Sequence, residues 1–357
     1  MSKVIGVDVG TMFMVAAKKL SGDKIEYNSL RNMFLAVSDD LVNVSEMAEG
    51  QLDYVKTEDE EGDDVFYIIS EDAYTFGNMF NKPVSRPMSK GVISPDEVDA
   101  IDVLTLMLEK IAGKTKGGSC IYSVPEAAID VEIPPVLYHE RVFGKIFETL
   151  GYDSKPLNEA MAIIYSECQE EKFSGISISF GSGLTNVACS YKGTPIMTFA
   201  VSRGGDWIDS NAASSLGIVQ NRVTSVKEGD DMDLINPFTK DKKTRRTREA
   251  VAYYYKSLID YVLKVIVNKF KAEADDLQIN EKIPIIVSGG TSKPEGFLEM
   301  FEAVFKSHKS FPYEISEIRH AKDPLNAVAT GCLIYGMWEQ KKKDKVKGGK
   351  TDGEEEN

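Results

Sequence analysis

Two glycine-broken hairpins constrain this chain more than any other feature. Residues 176–189 read ISISFGSGLTNVAC: Ile176, Ile178 and Phe180 alternate with Ser177 and Ser179, and Thr185, Val187 and Cys189 resume the alternation after the glycines. That period of two is the pattern of paired strands, with the glycines in the turn. The opening KVIGVDVGTMFMVAAKK repeats the arrangement around Gly10, and a further turn follows at Ser21-Gly22-Asp23. A glycine hairpin serves either as a tight turn of positive φ or as a loop whose bare N–H groups approach an anion such as phosphate. One hairpin does not decide between them.

The chain has 357 residues, 42% of them hydrophobic, enough for the cores of two or more domains. A net charge of −14 argues against a general nucleic-acid binder, because phosphate contacts need a concentrated basic surface. Cys120, Cys168, Cys189 and Cys332 stand singly without CxxC spacing, so neither a disulfide framework nor a zinc or iron–sulfur site is indicated, and reduced thiols point to the cytoplasm. His139, His308 and His320 lack ligand spacing and are assigned surface or capping roles; Trp207 and Trp338 are assigned to packing. The start, MSKVIGVDVG, has no charged leader ahead of an apolar stretch, and no apolar run reaches the roughly 18 to 20 residues of a membrane span. Neither secretion nor direct membrane insertion is expected.

Along the chain, residues 38–64 are acidic and irregular, with TEDEEGDD at 57–64, and read as exposed loops and edge strands of a small subdomain. In SPDEVDAIDVLTLMLEKIAG, Ser94-Pro95-Asp96 supplies an N-cap and an N1 proline, and Gly113 is the stop. The strand SCIYSVP, the helix around HERVFGKIFETLGY and the strand-to-helix passage KPLNEAMAIIYSECQ give α/β layering. TREAVAYYYKSLIDYVLKVIVNKFKAEA reads as a long helix with Tyr254, Leu258, Tyr261, Val262 and Val265 on its apolar face. KIPIIVSGGTSKPEG is a buried strand that ends at Gly289-Gly290 before a helix beginning near Pro294, a ready phosphate or nucleotide site. The last stretch, QKKKDKVKGGKTDGEEEN, reads as a disordered charged tail. Two halves that each open on a glycine hairpin suggest duplicated domains facing a common cleft.

The glycine-bearing segments, taken in order over roughly residues 4–340, resemble the nucleotide-binding core shared by actins, sugar kinases and the seventy-kilodalton heat-shock chaperones, most closely the bacterial actins of the MreB and MamK type. GVDVGT at 6–11 and FGSGLTN at 180–186 are similar to the two phosphate loops, VSRGGDWID at 201–209 to the VGGDxxD segment, and IVSGGTSKPEG at 286–296 to the adenosine motif. EAMAIIY at 159–165 and AVATGCLIYG at 327–336 are similar to the connecting helices. The resemblance implies a two-lobed, actin-like α/β fold, duplicated from a ribonuclease H-like unit, with a nucleotide cleft between the lobes. It implies domain I over 1–157 with a small subdomain at about 34–92, domain II over 158–318 with a subdomain at about 206–272, a returning helix at 319–340 and the tail at 341–357.

The same resemblance implies ATP and magnesium as cofactors. Asp8 would hold the metal through water, and Glu159 would polarise the attacking water. Gly10, Thr11, Met12, Gly181, Ser182, Gly183 and Leu184 would form the phosphate cradle. Gly205, Gly289, Gly290 and Thr291 would contact the nucleotide, and VKEG at 226–229, taken as a helix start, would offer Lys227 and Glu228 to the nucleoside. Two departures weaken hydrolysis more than binding: Ser179 stands where the family carries Asp, and Met12 and Phe13 follow Thr11 where small or hydroxylated residues are usual. Slow turnover follows, with Ser179→Asp expected to raise a weak rate. The implied function is an ATP-dependent cytoskeletal polymer whose subunits stack head to tail, with an unidentified cargo or adaptor. The alternatives are a non-polymerising ATP-binding scaffold like FtsA or PilM, and a small-molecule kinase with Asp206 or Asp209 as base. A chaperone is disfavoured, because about 15 residues of tail cannot form a peptide-binding domain.

Overall fold

The computed structural model of the chain describes residues 4–37, 52–58, 64–80, 82, 84–94, 99–132, 135–238, 242–273, 279, 281–308 and 311–348. It divides into two compact units: unit 1 comprises Met1–Val124, Pro134–Asn158 and Val328–Asn357, and unit 2 comprises Pro125–Ile133 and Glu159–Ala327.

Unit 1 contains strands β1 (Val4–Val9), β2 (Phe13–Lys19), β3 (Ile25–Arg31), β4 (Phe34–Val37), β5 (Tyr54–Glu58), β6 (Asp64–Ile69), β7 (Met88–Ser89), β8 (Val92–Ile93), β9 (Gly118–Val124) and β10 (Tyr152–Asn158). Its helices are α1 (Ser70–Phe80), α2 (Ala100–Ala112) and α3 (Val136–Thr149). The main sheet runs β10-β9-β1-β2-β3, with the hairpin strands antiparallel and β1, β9 and β10 parallel. Strand β1 is central and covered on both faces, with Ile5, Val7 and Val9 buried on one and Gly6 packed against Ala329 and Leu333 on the other. Helix α2 buries Ala100, Val103, Leu104, Met107, Leu108 and Ile111, the spacing of one helical stripe. The small sheet β4-β6-β5 includes Tyr54–Glu58 and Asp64 of the acidic stretch; residues 38–51, 59–63 and the expected cap at Pro95–Asp96 lie outside the described residues.

Unit 2 contains α4 (Glu159–Glu167), β11 (Gly175–Phe180), β12 (Thr185–Tyr191), β13 (Thr194–Val201), α5 (Gly205–Leu216), α6 (Gln220–Lys227), α7 (Arg245–Glu273), β14 (Ile283–Ser288), α8 (Phe297–Ser307) and β15 (Ile315–His320). Its sheet runs β13-β12-β11-β14-β15, with β12 antiparallel to both neighbours and β11, β14 and β15 parallel. The order is the same in both units: an antiparallel three-strand meander whose first strand pairs with a fourth, and that with a fifth. The expected duplication is therefore present in the strand topology, and the fold is α/β of the actin-like class.

The structure corrects several local expectations. His139 is buried on α3, its ring 4.6 Å from Phe143, so it is a core residue rather than a surface or capping one. Burial lowers its pKa to about 3. The stripe of α7 centres on Tyr255, Leu258, Ile259, Val262 and Ile266, leaving Tyr254, Tyr261 and Val265 on its partly buried flanks. VKEG closes α6 rather than opening a helix, with Glu228 at the C-cap. Gly290–Ser292 form a single 3-10 turn, and α8 begins only at Phe297. The last helix, α9 (Ala327–Gly348), runs past the expected start of the tail at 341. Small residues seat it in unit 1: a Cβ on Gly6 would lie 2.2 Å from Leu333 N and 2.3 Å from Ala329 O.

Candidate functional site

The chemistry-bearing residues fall into two groups, one in each unit. In unit 1 the first loop is the turn between β1 and β2. A Cβ on Gly10 would meet Phe13 O at 2.4 Å, so the tight turn excludes a side chain there. Asn32, fully buried, grips the loop twice: its Nδ2 donates to Gly10 O (3.0 Å) and its backbone N–H to Met12 O (2.8 Å). The Thr11 hydroxyl accepts from Gly91 N at 3.1 Å. The Met12 side chain is packed with Met33, Leu35, Ile68 and Ala73, so only its backbone is left to the loop. One strand residue earlier, Asp8 Oδ1 accepts from Ser123 Oγ (2.8 Å), while that oxygen accepts from Val9 N (2.9 Å). The amide thereby turns the serine proton towards the carboxylate.

In unit 2 three glycine-bearing segments meet backbone to backbone. Gly181 N closes the second loop on Leu184 O (3.0 Å), and Gly181 O accepts from Gly205 N (3.0 Å) and from Thr291 Oγ1 (2.9 Å). Asp206 N donates to Ser182 O at 2.9 Å, so the first amides of α5 are spent on the loop's carbonyls. A Cβ on Gly204 would sit 2.5 Å from Ser182 O, and one on Gly205 2.7 Å from Thr291 Oγ1. A Cβ on Gly289, whose φ is +90°, would be 2.3 Å from Phe180 O. Gly183 and Leu184 are buried in this loop, whereas Gly290 is exposed. Ser182 Oγ is buried with no hydrogen-bond partner among the described residues, an orphan donor inside a ring of glycines.

The Lys227 ammonium is buried, 2.7 Å from Asp209 Oδ2, and donates to Gly205 O at 3.1 Å. The expected nucleoside contact is thus engaged within the protein, while Glu228 is exposed. Burial raises the Asp209 pKa, and Lys227 and Thr224 oppose the shift. Asp209 is accordingly a structural ion-pair partner, not an available kinase base.

Glu159, the first residue of α4, is held at both oxygens: Ser179 Oγ donates to Oε1 (2.7 Å) and Asn186 Nδ2 to Oε2 (3.0 Å). Asn186 Oδ1 accepts from Glu126 N at 3.0 Å, which fixes the amide's orientation. Burial raises the Glu159 pKa and the two hydrogen bonds lower it. Asn32 and Asn186 were missed as functional residues. Nothing near Asn32 in sequence marks it, because its partners lie 20 and 22 positions earlier; Asn186 sits inside the quoted FGSGLTN motif, where only the glycines drew attention.

A family model described as Volactin matches residues 3–335. The cell division protein FtsA of Pseudomonas aeruginosa is 25% identical over 200 residues, 51% of this chain and 47% of that protein, so the match spans about half the curated relative's length. Among solved structures, a MamK double helical filament is similar with a TM-score of 0.65 at 14% identity, covering 94% of this chain and 98% of that one. MreB 5 of Spiroplasma citri bound to AMPPNP gives 0.66 at 16% identity, covering 98% and 99%. The ethanolamine utilization protein EutJ of Carboxydothermus hydrogenoformans gives 0.52 at 17% identity, covering 93% and 89%.

Proposed function

The chain belongs to the Volactin family, and from that premise and its actin-like fold we propose that it binds ATP and assembles into filaments. Phosphate contacts are assigned to the first loop of unit 1 and the second loop of unit 2, with Gly205, Gly289, Gly290 and Thr291 framing the latter. The observation that carries this reading is the second loop, where backbones pack so closely that no Cβ fits at Gly204 or Gly289 and a buried serine hydroxyl has no partner among the described residues. Turns without side chains are suited to anions through those amides that the cluster's own carbonyls do not take. MreB 5 and a non-polymerising MamK variant carry AMPPNP in solved structures, which supports a nucleotide as the ligand.

Asp8, oriented by Ser123, is a fitting single carboxylate for a magnesium ion that keeps most of its water and takes its other ligands from phosphate. No cluster of three or more His, Cys, Asp or Glu side chains able to hold a metal occurs among the described residues. When bound, magnesium neutralises phosphate charge. In the hydrolytic step water oxygen bonds to the γ-phosphorus, the bond to the β,γ-bridging oxygen breaks, ADP leaves with the electron pair, and Glu159 takes the water proton. Slow turnover is part of the proposal.

The test is sedimentation and negative-stain microscopy with and without ATP. Filaments and an ATP-dependent pellet are expected. ATP binding by calorimetry with no polymer assigns the scaffold reading, which the FtsA match favours as the second candidate. No heat at millimolar ATP overturns both. No helix among the described residues is long and apolar enough to cross a membrane, and cytoplasmic filaments without direct membrane insertion or nucleic-acid binding remain part of the proposal.

A further inference from the structure

We infer that Ser179 and Asn186 are positioning residues that hold the Glu159 carboxylate in one orientation and select its ionised form for the attacking water. This rests on the proposed role of Glu159 in ATP hydrolysis. Each Glu159 oxygen receives one hydrogen bond from a neighbouring strand, at 2.7 Å from Ser179 on β11 and 3.0 Å from Asn186 on β12. The Asn186 amide cannot reverse without losing both its bonds, because its oxygen already accepts from Glu126 N. Glu159 therefore meets an NH2 group, which can only donate, on one side. Both bonds are strongest to the carboxylate, so they oppose the upward pull that burial exerts on the Glu159 pKa and favour its ionised form.

The charges around Glu159 within unit 2 make this selection effective. Strands β11, β12 and β14, on which α4 packs, carry no Asp, Glu, Lys, Arg or His. The nearby acid, Glu126, accepts at Oε2 from Thr198 Oγ1 (2.7 Å) and at Oε1 from Ala127 N (3.3 Å), so its charge is satisfied locally. Ser179 is then more than a missing carboxylate. Its hydroxyl occupies the contact where an aspartate would press a second negative charge against Glu159, and two carboxylates so close share a proton. The expectation that Ser179→Asp raises the rate is therefore reversed: the clamp predicts a carboxylate that ionises later and a slower enzyme at neutral pH.

The test titrates Glu159 by carboxyl carbon NMR in glutamate-labelled full-length protein, the resonance being assigned by its loss in Glu159→Gln, together with kcat and KM for ATP across pH. Ser179→Asp and Asn186→Asp should raise the titration midpoint and the acid limb of kcat by one pH unit or more. Ser179→Ala and Asn186→Ala should lower kcat about tenfold with KM changed less than twofold, as misplacement of a reacting group does, and Ser179→Thr, which keeps the hydroxyl, should restore the wild-type profile. Midpoints and profiles of both aspartate variants superimposing on wild type, with Glu159→Gln inactive, would overturn the clamp while leaving the base assignment standing. Full activity in Glu159→Gln overturns both, and the ATP affinity of that variant shows whether the binding proposal survives.

Discussion

The two repeats carry the same five-strand order but hold their glycine loops by different means. In unit 1 the loop is stapled by side chains: the amide of Asn32 and the hydroxyl of Thr11 tie it to neighbouring segments. In unit 2 the loop is locked chiefly by main chain against main chain, the missing Cβ of Gly204 and of Gly289 lying within 3 Å of backbone oxygens and that of Gly205 within 3 Å of the Thr291 hydroxyl. The units also treat buried charge differently. Unit 1 keeps His139 neutral in an apolar core, whereas unit 2 buries the pair Asp209–Lys227. A duplicated topology thus fixes where a loop sits but not what stiffens it. Side-chain staples can be loosened one hydrogen bond at a time; a backbone lock tolerates almost no change.

The sharpest test sets Gly289→Ala against Gly10→Ala. At Gly289 a left-handed φ adds strain of ~1–3 kcal/mol and the clash with Phe180 backbone a further ~1–3 kcal/mol. At Gly10 the clash is with a single oxygen and φ lies outside the left-handed region, so a loss of ~1–3 kcal/mol is expected. Denaturant midpoints read the difference, and equal losses would break the contrast. Lys227→Met should cost ~3–5 kcal/mol at pH 7 by leaving Asp209 buried and unpaired. Because burial already holds the Asp209 pKa above its ordinary value, its proton is retained in the folded state longer than in the unfolded one. The variant's stability therefore falls as pH rises through the carboxylate range, and part of the loss is recovered on acidification.

Unit 1 should respond to acid in the opposite sense. His139 stays neutral down to about pH 3 when folded, whereas the unfolded imidazole takes a proton near pH 6.5. Stability is lost as pH falls below that value, by ~3 kcal/mol at pH 4, and His139→Leu should flatten the decline. Single-tryptophan variants separate the units, Trp338 reporting on unit 1 and Trp207 on unit 2. The smallest effects belong to single bonds: Asn32→Ala and Thr291→Val should each cost ~0.5–1.5 kcal/mol. Faster hydrogen exchange at loop amides should appear in the first variant and hardly at all in the second, whose loop keeps its backbone contacts.

The hairpins and the glycine pair at 289–290 were legible in the sequence because period-two alternation and glycine are local signals. Core membership of His139 was also written there, in the spacing of His139, Phe143, Ile146 and Phe147, but residue type outweighed pattern. Lys227 read as a nucleoside contact because VKEG is similar to a helix start of the resembled family; its burial depends on Asp209 reaching it from another helix, which no local pattern encodes. Asn32 and Asn186 are placed by amide hydrogen bonds to distant chain, and the contact of Ser179 with Glu159 emerges only when β11 lies beside α4.

The seat of the last helix has a practical corollary. At Gly6 the backbone of β1 touches that of α9, and farther on Glu339 and Lys343 reach Lys155 and Asp153 of β10. A fluorescent tag joined behind such a helix pulls on a lever resting against the strand that bears Asp8. Where a label is attached therefore bears on that contact as well as on visibility, and the turn at Ser21–Asp23 is no freer a place, since Ile25 and Tyr27 just after it pack against the same helix.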